Sequence, residues 1–345
     1  MVLCVVLTGA AFAFGAGPAQ AQLPEHLVGE TCSSCKPTAQ DTVDVDGDGD
    51  RDVVVASRGD GKIVWYENDG AGDFTPHTIA TDVGDPVSID SGDLNGDGTP
   101  DILVAESSLD ARRFNDEIAW YENDGGQWTK HTLAAQDVED PKAVRAADLD
   151  QDGDVDALSI HRDVTENRLA WYENDGTGSF SGQNVLSPNI LYDDIRVADL
   201  DGDDDLDVVS STIVPNSNDD QAVWFENQGD ASFSSLKRIA TEGALQEVRV
   251  ADIDGDETPD VFASVLATDL DNGGIRWYEN NGTPSDGGWT SHLVSDTLTL
   301  TAGTGETISQ SIREGDVDDD DDLEIVVGGA AKAVFVFDSN GSPTD

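Results

Sequence analysis

The chain has 345 residues, of which 71 are Asp or Glu and 18 are Lys or Arg, giving a formal net charge of −53 and a pI near 4.1. A surface this negative repels phosphate backbones and anionic lipid, which excludes nucleic-acid binding and membrane docking through basic residues. The composition still supports a core: 37% of residues are apolar, with 7 Trp, 5 Tyr and 10 Phe, and 35 Gly with 12 Pro favour strands and turns.

At the N-terminus, Val2 to Gly17 form an apolar run followed by Ala19-Gln20-Ala21, a small-x-small cleavage signal. Residues 1–21 therefore read as an export segment and 22–345 as a single secreted or extracellular domain, with periplasm or cell surface as the compartments in question. The run is too short to span a bilayer and no second one follows. No basic residue precedes it; the first is Lys36. Cys4 leaves with the signal, while Cys32 and Cys35 remain as a CxxC pair. Without a helix start to activate a thiolate, or a second ligand pair for zinc, this spacing predicts a small local disulfide.

From residue 44 onward the chain repeats itself. Six acidic segments align: Asp44, Asp46, Asp48 and Asp52; Asp93, Asn95, Asp97 and Asp101; Asp148, Asp150, Asp152 and Asp156. The next three are Asp199, Asp201, Asp203 and Asp207; Asp252, Asp254, Asp256 and Asp260; and Asp316, Asp318, Asp320 and Glu324. An apolar β-like run follows each, then a Trp-Tyr/Phe-Glu-Asn string at Trp65, Trp120, Trp171, Trp224 and Trp277, decayed in the sixth copy to Val336-Phe337-Asp338-Ser339. An Asn-Asp-Gly hairpin signal comes next, then an outer string such as His77-Thr78-Ile79, His131-Thr132-Leu133 or His292-Leu293-Val294. Each unit thus reads as four short strands. Four-stranded units at this period predict an all-β propeller with six blades, or seven as the alternative. The sixth unit lacks an outer strand, and His26-Leu27-Val28 matches that string, so the N-terminal strand is expected to close the ring.

Carboxylates at positions 1, 3, 5 and 9 of a tight loop, with a backbone carbonyl at position 7, converge hard oxygen ligands on one point. That donor set predicts Ca²⁺, up to six ions, ahead of Mg²⁺, which keeps more water and demands stricter octahedral geometry. Position 12 is Val55, Val104, Ser159, Ser210, Ala263 or Val327, never the Glu of an EF-hand. These loops, each followed by an apolar strand, resemble the FG-GAP/VCBS repeat family, which includes the propeller of integrin α chains and many secreted bacterial proteins. The resemblance implies a propeller, Ca²⁺ at the positions named, and commonly adhesion, recognition or a structural role outside the cell, with a glycan or protein partner. Some polysaccharide lyases and sugar dehydratases resemble the repeat too, which makes a secreted carbohydrate-active enzyme the alternative.

Strand alternation places the acidic loops and Asn-Asp-Gly turns on one face and the connections of variable length on the other. That second face carries Arg58-Gly59-Asp60, Ser107–Asp116, His161–Asn167, Pro215–Asp220 and Ser295–Gln310. If the chain is an enzyme, a base such as His161, or an Arg-Tyr pair, is expected in a pocket there or in the central channel, although no nucleophile motif or phosphate loop appears. Asp41, Asp90, Arg145, Arg196, Arg249 and Arg313 stand three residues before the loops, on the innermost strand. Pairing with Glu67, Glu122, Glu173, Glu226 and Glu279 of the Trp strands is expected, with an anion site on the axis as the other reading. The Trp residues recur in step with the strands and are expected in the core between blades; the outer-strand His residues are expected at the rim without a catalytic role. Acid remaining beyond the loops, with Arg commoner than Lys, fits a salt-adapted surface.

Overall fold

The computed structural model describes residues 37–107, 116–135, 138–162, 166–188, 190–213, 220–242, 245–265, 274–295, 311–315, 324–329 and 333–337. The export segment, Cys32 and Cys35, the expected closing strand at His26-Leu27-Val28, and Asp316, Asp318 and Asp320 lie outside these residues.

The described chain is all-β apart from one 3₁₀ turn at Pro284–Asp286. Innermost strands are β1 (Pro37–Val43), β5 (Asp85–Gly92), β9 (Glu139–Ala147), β13 (Leu191–Ala198), β17 (Leu245–Ala251) and β21 (Ser311–Gly315). Second strands, rich in Val, Ile, Leu and Ala, are β2 (Asp52–Ser57), β6 (Asp101–Ser107), β10 (Asp156–Arg162), β14 (Asp207–Ile213), β18 (Asp260–Val265) and β22 (Glu324–Gly329). Trp strands are β3 (Lys62–Asn68), β7 (Glu117–Asp124), β11 (Asn167–Tyr172), β15 (Asp220–Phe225) and β19 (Gly274–Asn280), with β23 (Ala333–Phe337) in their place in the sixth unit. Outer strands are β4 (Phe74–Thr81), β8 (Gln127–Ala134), β12 (Asn184–Pro188), β16 (Lys237–Glu242) and β20 (Trp289–Ser295). They form five four-stranded antiparallel meanders and one three-stranded sheet. Each innermost strand from β1 to β17 contacts the innermost strand of the next sheet, which is how propeller blades stack. The four-stranded unit expected from the repeat is what forms in the first five.

Second strands are buried along their length, as in β2, β6 and β18, because sheets cover them on both sides. The Trp-Tyr/Phe-Glu-Asn string explains the stacking. Successive strand residues point to opposite faces, so Trp and Glu share one face while the Tyr or Phe and Asn share the other. Trp65 packs in one cluster with Tyr121 of the next blade, Trp120 with Tyr172, Trp171 with Phe225 and Trp224 with Tyr278. These four Trp residues are buried, as expected from their recurrence.

The Asn of the string, on the backward face, bonds the preceding blade. Asn123 Nδ2 donates to the Val45 carbonyl at 3.0 Å, Asn174 to Leu94 at 2.8 Å, Asn227 to Leu149 at 2.6 Å and Asn280 to Leu200 at 2.7 Å. Each acceptor is the second residue of an acidic loop. Sequence reasoning gave this Asn to a hairpin turn, a partial misreading. The tight two-residue turn occurs in the second blade, where Gly125 and Gly126 both take positive φ. The first, third and fourth blades use wider turns closed by Asp69 N–H to Asp73 O, Asp175 N–H to Ser179 O and Gln228 N–H to Ser232 O.

Along the innermost strands the expected Arg–Glu pairing is corrected. Asp194 accepts Arg196 Nη1 at 2.6 Å, Arg249 Nη1 at 3.2 Å and Arg145 Nη2 at 3.3 Å, and Glu247 takes Arg249 as well. Acids on the innermost strands themselves satisfy the arginines, because Asp194 lies two residues from Arg196 on one side of β13 and faces the adjoining strands. The Arg313 side chain is outside the described set. Opposite in sign, Asp41 accepts Ser91 Oγ at 2.5 Å and Asp90 accepts the Ala146 N–H at 2.7 Å. Burial pushes the Asp90 carboxyl up to about 6, against the pull of Arg145.

The raised Asp90 value gives a signed pH dependence. The folded state holds a proton that the unfolded state releases near pH 4, so this group lowers stability as pH rises from about 4 through 6. Asp90→Asn is expected to raise the denaturant midpoint at pH 7 and to leave it unchanged at pH 4; a gain of equal size at both values would show that the carboxylate charge is not the cause.

Candidate metal centre

Each acidic loop joins an innermost strand to a second strand, and its backbone is organised by its own carboxylates. Asp44 Oδ1 accepts the N–H groups of Gly47 and Asp48, and its Oδ2 that of Gly49, at 2.8 to 3.1 Å. Asp93, Asp199 and Asp252 repeat the pattern. The turn needs left-handed backbone at positions 4 and 6. Glycine supplies it at Gly47 and Gly49, whereas Gln151, Asp204 and Glu257 adopt it at φ +60°, +72° and +72°. Gln151 compensates by bonding the next loop at the Asp204 carbonyl (2.8 Å) and Asp205 Oδ1 (2.5 Å).

Position 9 is the most deeply placed. Asp52, Asp101, Asp156, Asp207 and Asp260 are all 0% exposed. Oδ2 accepts the N–H of loop residue 2, from Val45 (2.9 Å) to Ile253 (3.2 Å), and Oδ1 accepts the N–H of the Trp-strand Asn at 2.8 Å in each of the first five blades. These carboxylates are structural clamps as well as candidate ligands. Burial pushes Asp156 and Asp207 up to about 7, and Asp101 and Asp260 up to about 6.

Ligand oxygens within 4.8 Å of one another come from Asp44, Asp46 and Asp48; Asp148, Asp150 and Asp156; Asp199, Asp201 and Asp203; and Asp252, Asp254 and Asp260. The structure thus brings positions 1 and 3 together in four loops and adds position 5 in two and position 9 in two. Asp52, Asp152, Asp207 and Asp256 stand in the same loops but outside those groups. In the second loop Asn95 bonds Asp97 through Nδ2 at 3.3 Å, and Asp93 and Asp101 hold backbone as in the other loops. Glu324 opens β22, and its side chain is not among those described.

A hard cation fits this donor set on two observations. Asp148 Oδ1 and Asp201 Oδ1 are sealed from solvent and take no hydrogen bond, which is costly for carboxylate oxygens unless another charge meets them. The grouped carboxylates also repel one another: Asp201 is pushed up to about 6 by burial and by Asp203, and Asp46, Asp150 and Asp254 are raised by burial with neighbouring acids adding. Loops and hairpin turns share one end of the blades, as expected. Thr99 and Thr258 Oγ1 donate to the Asn123 and Asn280 carbonyls at 2.9 Å, and Gly70, Gly176 and Gly229 lie against Asp50, Asp154 and Asp205.

One feature beside the loops escaped the sequence. His131 and His292 stack on Trp120 and Trp277, and His77 lies tilted against Trp65, with ring centroids 4.4 to 4.6 Å apart. Their Nε2 atoms lie 2.6, 2.8 and 2.7 Å from Glu67, Glu122 and Glu279. The signal was the register: Trp and His are cross-strand partners, as in Trp65↔His77, and the Glu two residues beyond Trp shares its face.

Comparison with known proteins agrees with the repeat. The FG-GAP-like repeat family matches residues 44–104 and 148–210, so these two segments are similar to FG-GAP-like repeats. No curated protein matches the sequence. Among solved structures, the fold is similar to an Agrocybe aegerita lectin described as recognising non-reducing terminal N-acetylglucosamine. That match has 17% identity and a TM-score of 0.57, covering 88% of this chain and 81% of that one. The V. cholerae biofilm matrix protein Bap1 matches at 17% identity and a TM-score of 0.40, over 90% of this chain and 42% of that one. The Dos1 propeller matches at 10% and 0.48, over 84% and 65%.

Glu257 is exposed and holds left-handed backbone, so Glu257→Gly is expected to stabilise by about 1 kcal/mol. Gln151→Gly gains less, since it gives up the bonds to the fourth loop. Urea midpoints in chelator check both; a destabilised Glu257→Gly would overturn the strain argument.

Proposed function

We propose that the chain is an exported, Ca²⁺-stabilised six-bladed β-propeller that acts in recognition or adhesion, with a glycan or protein partner. The observation that carries the metal is the in-register repetition of converging loop carboxylates, with sealed, unbonded oxygens at Asp148 and Asp201. A bound cation would offset their mutual repulsion and tie the innermost strand to the second. Recognition is supported by the fold shared with a lectin. No helix among the described residues is long and apolar enough to cross a membrane. The enzyme alternative asks for a base open to substrate, whereas His161 is 1% exposed, its Nδ1 2.8 Å from Ser159 Oγ and its Nε2 2.6 Å from Gln183.

Closure of the ring is supported by the first blade. Val53 and Tyr66, on its face away from the second blade, are 2% and 5% exposed. Asn68 stands where the other blades place their backward-reaching Asn, and the second residue of the sixth loop, Val317, lies outside the described residues.

Excess chelator is expected to lower the melting temperature and Ca²⁺ to restore it; a transition indifferent to both would remove the metal. A glycan array run with and without Ca²⁺ tests recognition. In a closed ring Asn68→Ala destabilises about as much as Asn227→Ala, about 1–3 kcal/mol by denaturant unfolding. An open ring leaves Asn68→Ala well below that range.

A further inference from the structure

Two asparagines stand side by side where the fifth Trp strand enters its turn, and they do opposite things. Asn280 is 0% exposed, its Nδ2 spent on the Leu200 and Pro259 carbonyls at 2.7 and 3.1 Å. Asn281 is exposed, as are Gly282 and Thr283 after it. The first four blades place Asp69, Asp124, Asp175 and Gln228 at this position. Asn281 is thus the one Asn among five equivalent turn residues, in a chain whose net charge of −53 makes an acid the ordinary choice.

The turn does not need the amide. Asn281 N–H donates to the Gly288 carbonyl at 3.1 Å and closes the turn. Its Oδ1 accepts the Thr283 N–H at 3.1 Å and the Thr283 hydroxyl at 2.7 Å. Asp175 does the same for Thr177, at 3.1 and 2.6 Å. A carboxylate therefore serves such a turn equally well, and what asparagine adds is Nδ2. Among the described residues the side chain bonds through Oδ1 alone. Gly288 keeps the amide uncovered, since a Cβ there would stand 2.8 Å from Nδ2. Thr283 occupies the N-cap of the 3₁₀ turn Pro284–Asp286 yet makes no cap bond. Its hydroxyl is turned back to Asn281 instead of forward to the turn it precedes.

An exposed Asn followed by any residue but Pro and then by Thr is the acceptor pattern for N-linked sugar. Among the described residues Asn281-Gly282-Thr283 is its single occurrence. The hydrogen bonds suit the chemistry. A donor on Oδ1 stabilises the charge that moves there as Nδ2 gives up a proton, which makes the nitrogen a better nucleophile. We propose that Asn281 is a glycan attachment site, taking an oligosaccharide from a lipid-phosphate carrier once the chain is exported. Nδ2 bonds the anomeric carbon, and the bond from that carbon to the carrier phosphate breaks. The phosphate leaves with the bonding pair, and the Nδ2 proton passes to a base of the transferase. Thr283 is a positioning residue that holds the carboxamide by its oxygen. The turn lies at the loop end of the blade, where Thr258 of the fifth loop bonds the Asn280 carbonyl. The sugar therefore stands beside the acidic loops and leaves the variable face free for a partner. This inference rests on the export reading above.

The test isolates the chain from the organism that makes it, records by fractionation whether it is exported, and maps the peptide carrying Asn281 by mass. The parent is compared with Asn281→Asp, Thr283→Ser and Thr283→Val, each checked for folding by circular dichroism. Asn281→Asp keeps an acceptor for Thr283, as Asp175 does for Thr177, and removes the attachment nitrogen. The parent is expected to carry a sugar mass on Asn281 and Thr283→Ser to keep it, whereas Asn281→Asp and Thr283→Val lose it. An exported parent with a bare Asn281, or with its amide hydrolysed to Asp, overturns the proposal, as does a sugar that persists in Thr283→Val. A chain retained inside the cell defeats the export reading and the proposal with it, a result that fractionation keeps distinct. Where Thr283→Val fails to fold, Asn281→Asp decides: loss of the sugar mass supports the site, and its persistence on the same peptide overturns it.

Discussion

The buried carboxylate at loop position 9 holds this molecule together. Through Oδ2 it fixes the second residue of its own loop, and through Oδ1 it fixes the backbone of the Trp-strand Asn. That Asn reaches backward to the carbonyl of loop residue 2 in the preceding blade, the residue whose N–H is held by the preceding Asp. The sequence Asp52, Val45, Asn123, Asp101, Leu94, Asn174, Asp156, Leu149, Asn227, Asp207, Leu200, Asn280, Asp260 is thus one continuous hydrogen-bonded line through five blades. Each member is buried where a missing partner costs about 1–3 kcal/mol. A buried charge in such a line is tolerated because backbone donors meet both its oxygens. The loops inherit their shape from the same line, which is why ligand oxygens recur at the same place in successive blades.

The charge of the chain divides accordingly. Some acid is spent on loop geometry, some faces the candidate ion, and some neutralises the few bases: Asp194 alone gathers Arg145, Arg196 and Arg249. The axis of the blade stack is therefore a balanced ionic network on its Arg side, which weakens the case for an anion site there. Acid that serves none of these ends, such as exposed Asp69, Asp175 and Asp230, caps its own turn by accepting a local N–H. Much of the acidity thus has a local structural use before any appeal to habitat.

Most of the architecture was legible because the repeat is long and each signal recurs. Strand order, the third-strand position of the Trp string, the shared end of loops and turns, and the buried Trp residues all follow from period and alternation. The partners were not legible. A recurrent Asn beside Asp-Gly carries the signature of a turn, and only the alternation of faces shows that Asn123 must point at the preceding blade. Pairing Arg145, Arg196 and Arg249 with the Trp-strand Glu failed for the same reason: those glutamates lie two strands away in the sheet, whereas Asp194 and Glu247 sit on the innermost strands themselves. The His–Glu contacts depend on cross-strand register, which spacing in sequence does not fix when turn lengths differ.

The sixth repeat shows what the line of hydrogen bonds demands. Ser339 stands where the other five repeats have Asn, and Val336 where they have Trp. Serine has no amide with which to match the bond that Asn280 makes to the Leu200 carbonyl, and Ser339 itself lies outside the described residues. At the junction between the fifth and sixth sheets, β21 contacts β17 and β18. Trp277, which faces that junction, is only partly buried, unlike Trp65, Trp120, Trp171 and Trp224. In sequence the two changes are separable: Phe337 keeps the Tyr/Phe place of the string, which in the other blades covers the preceding Trp, while the Asn place is the one that is changed.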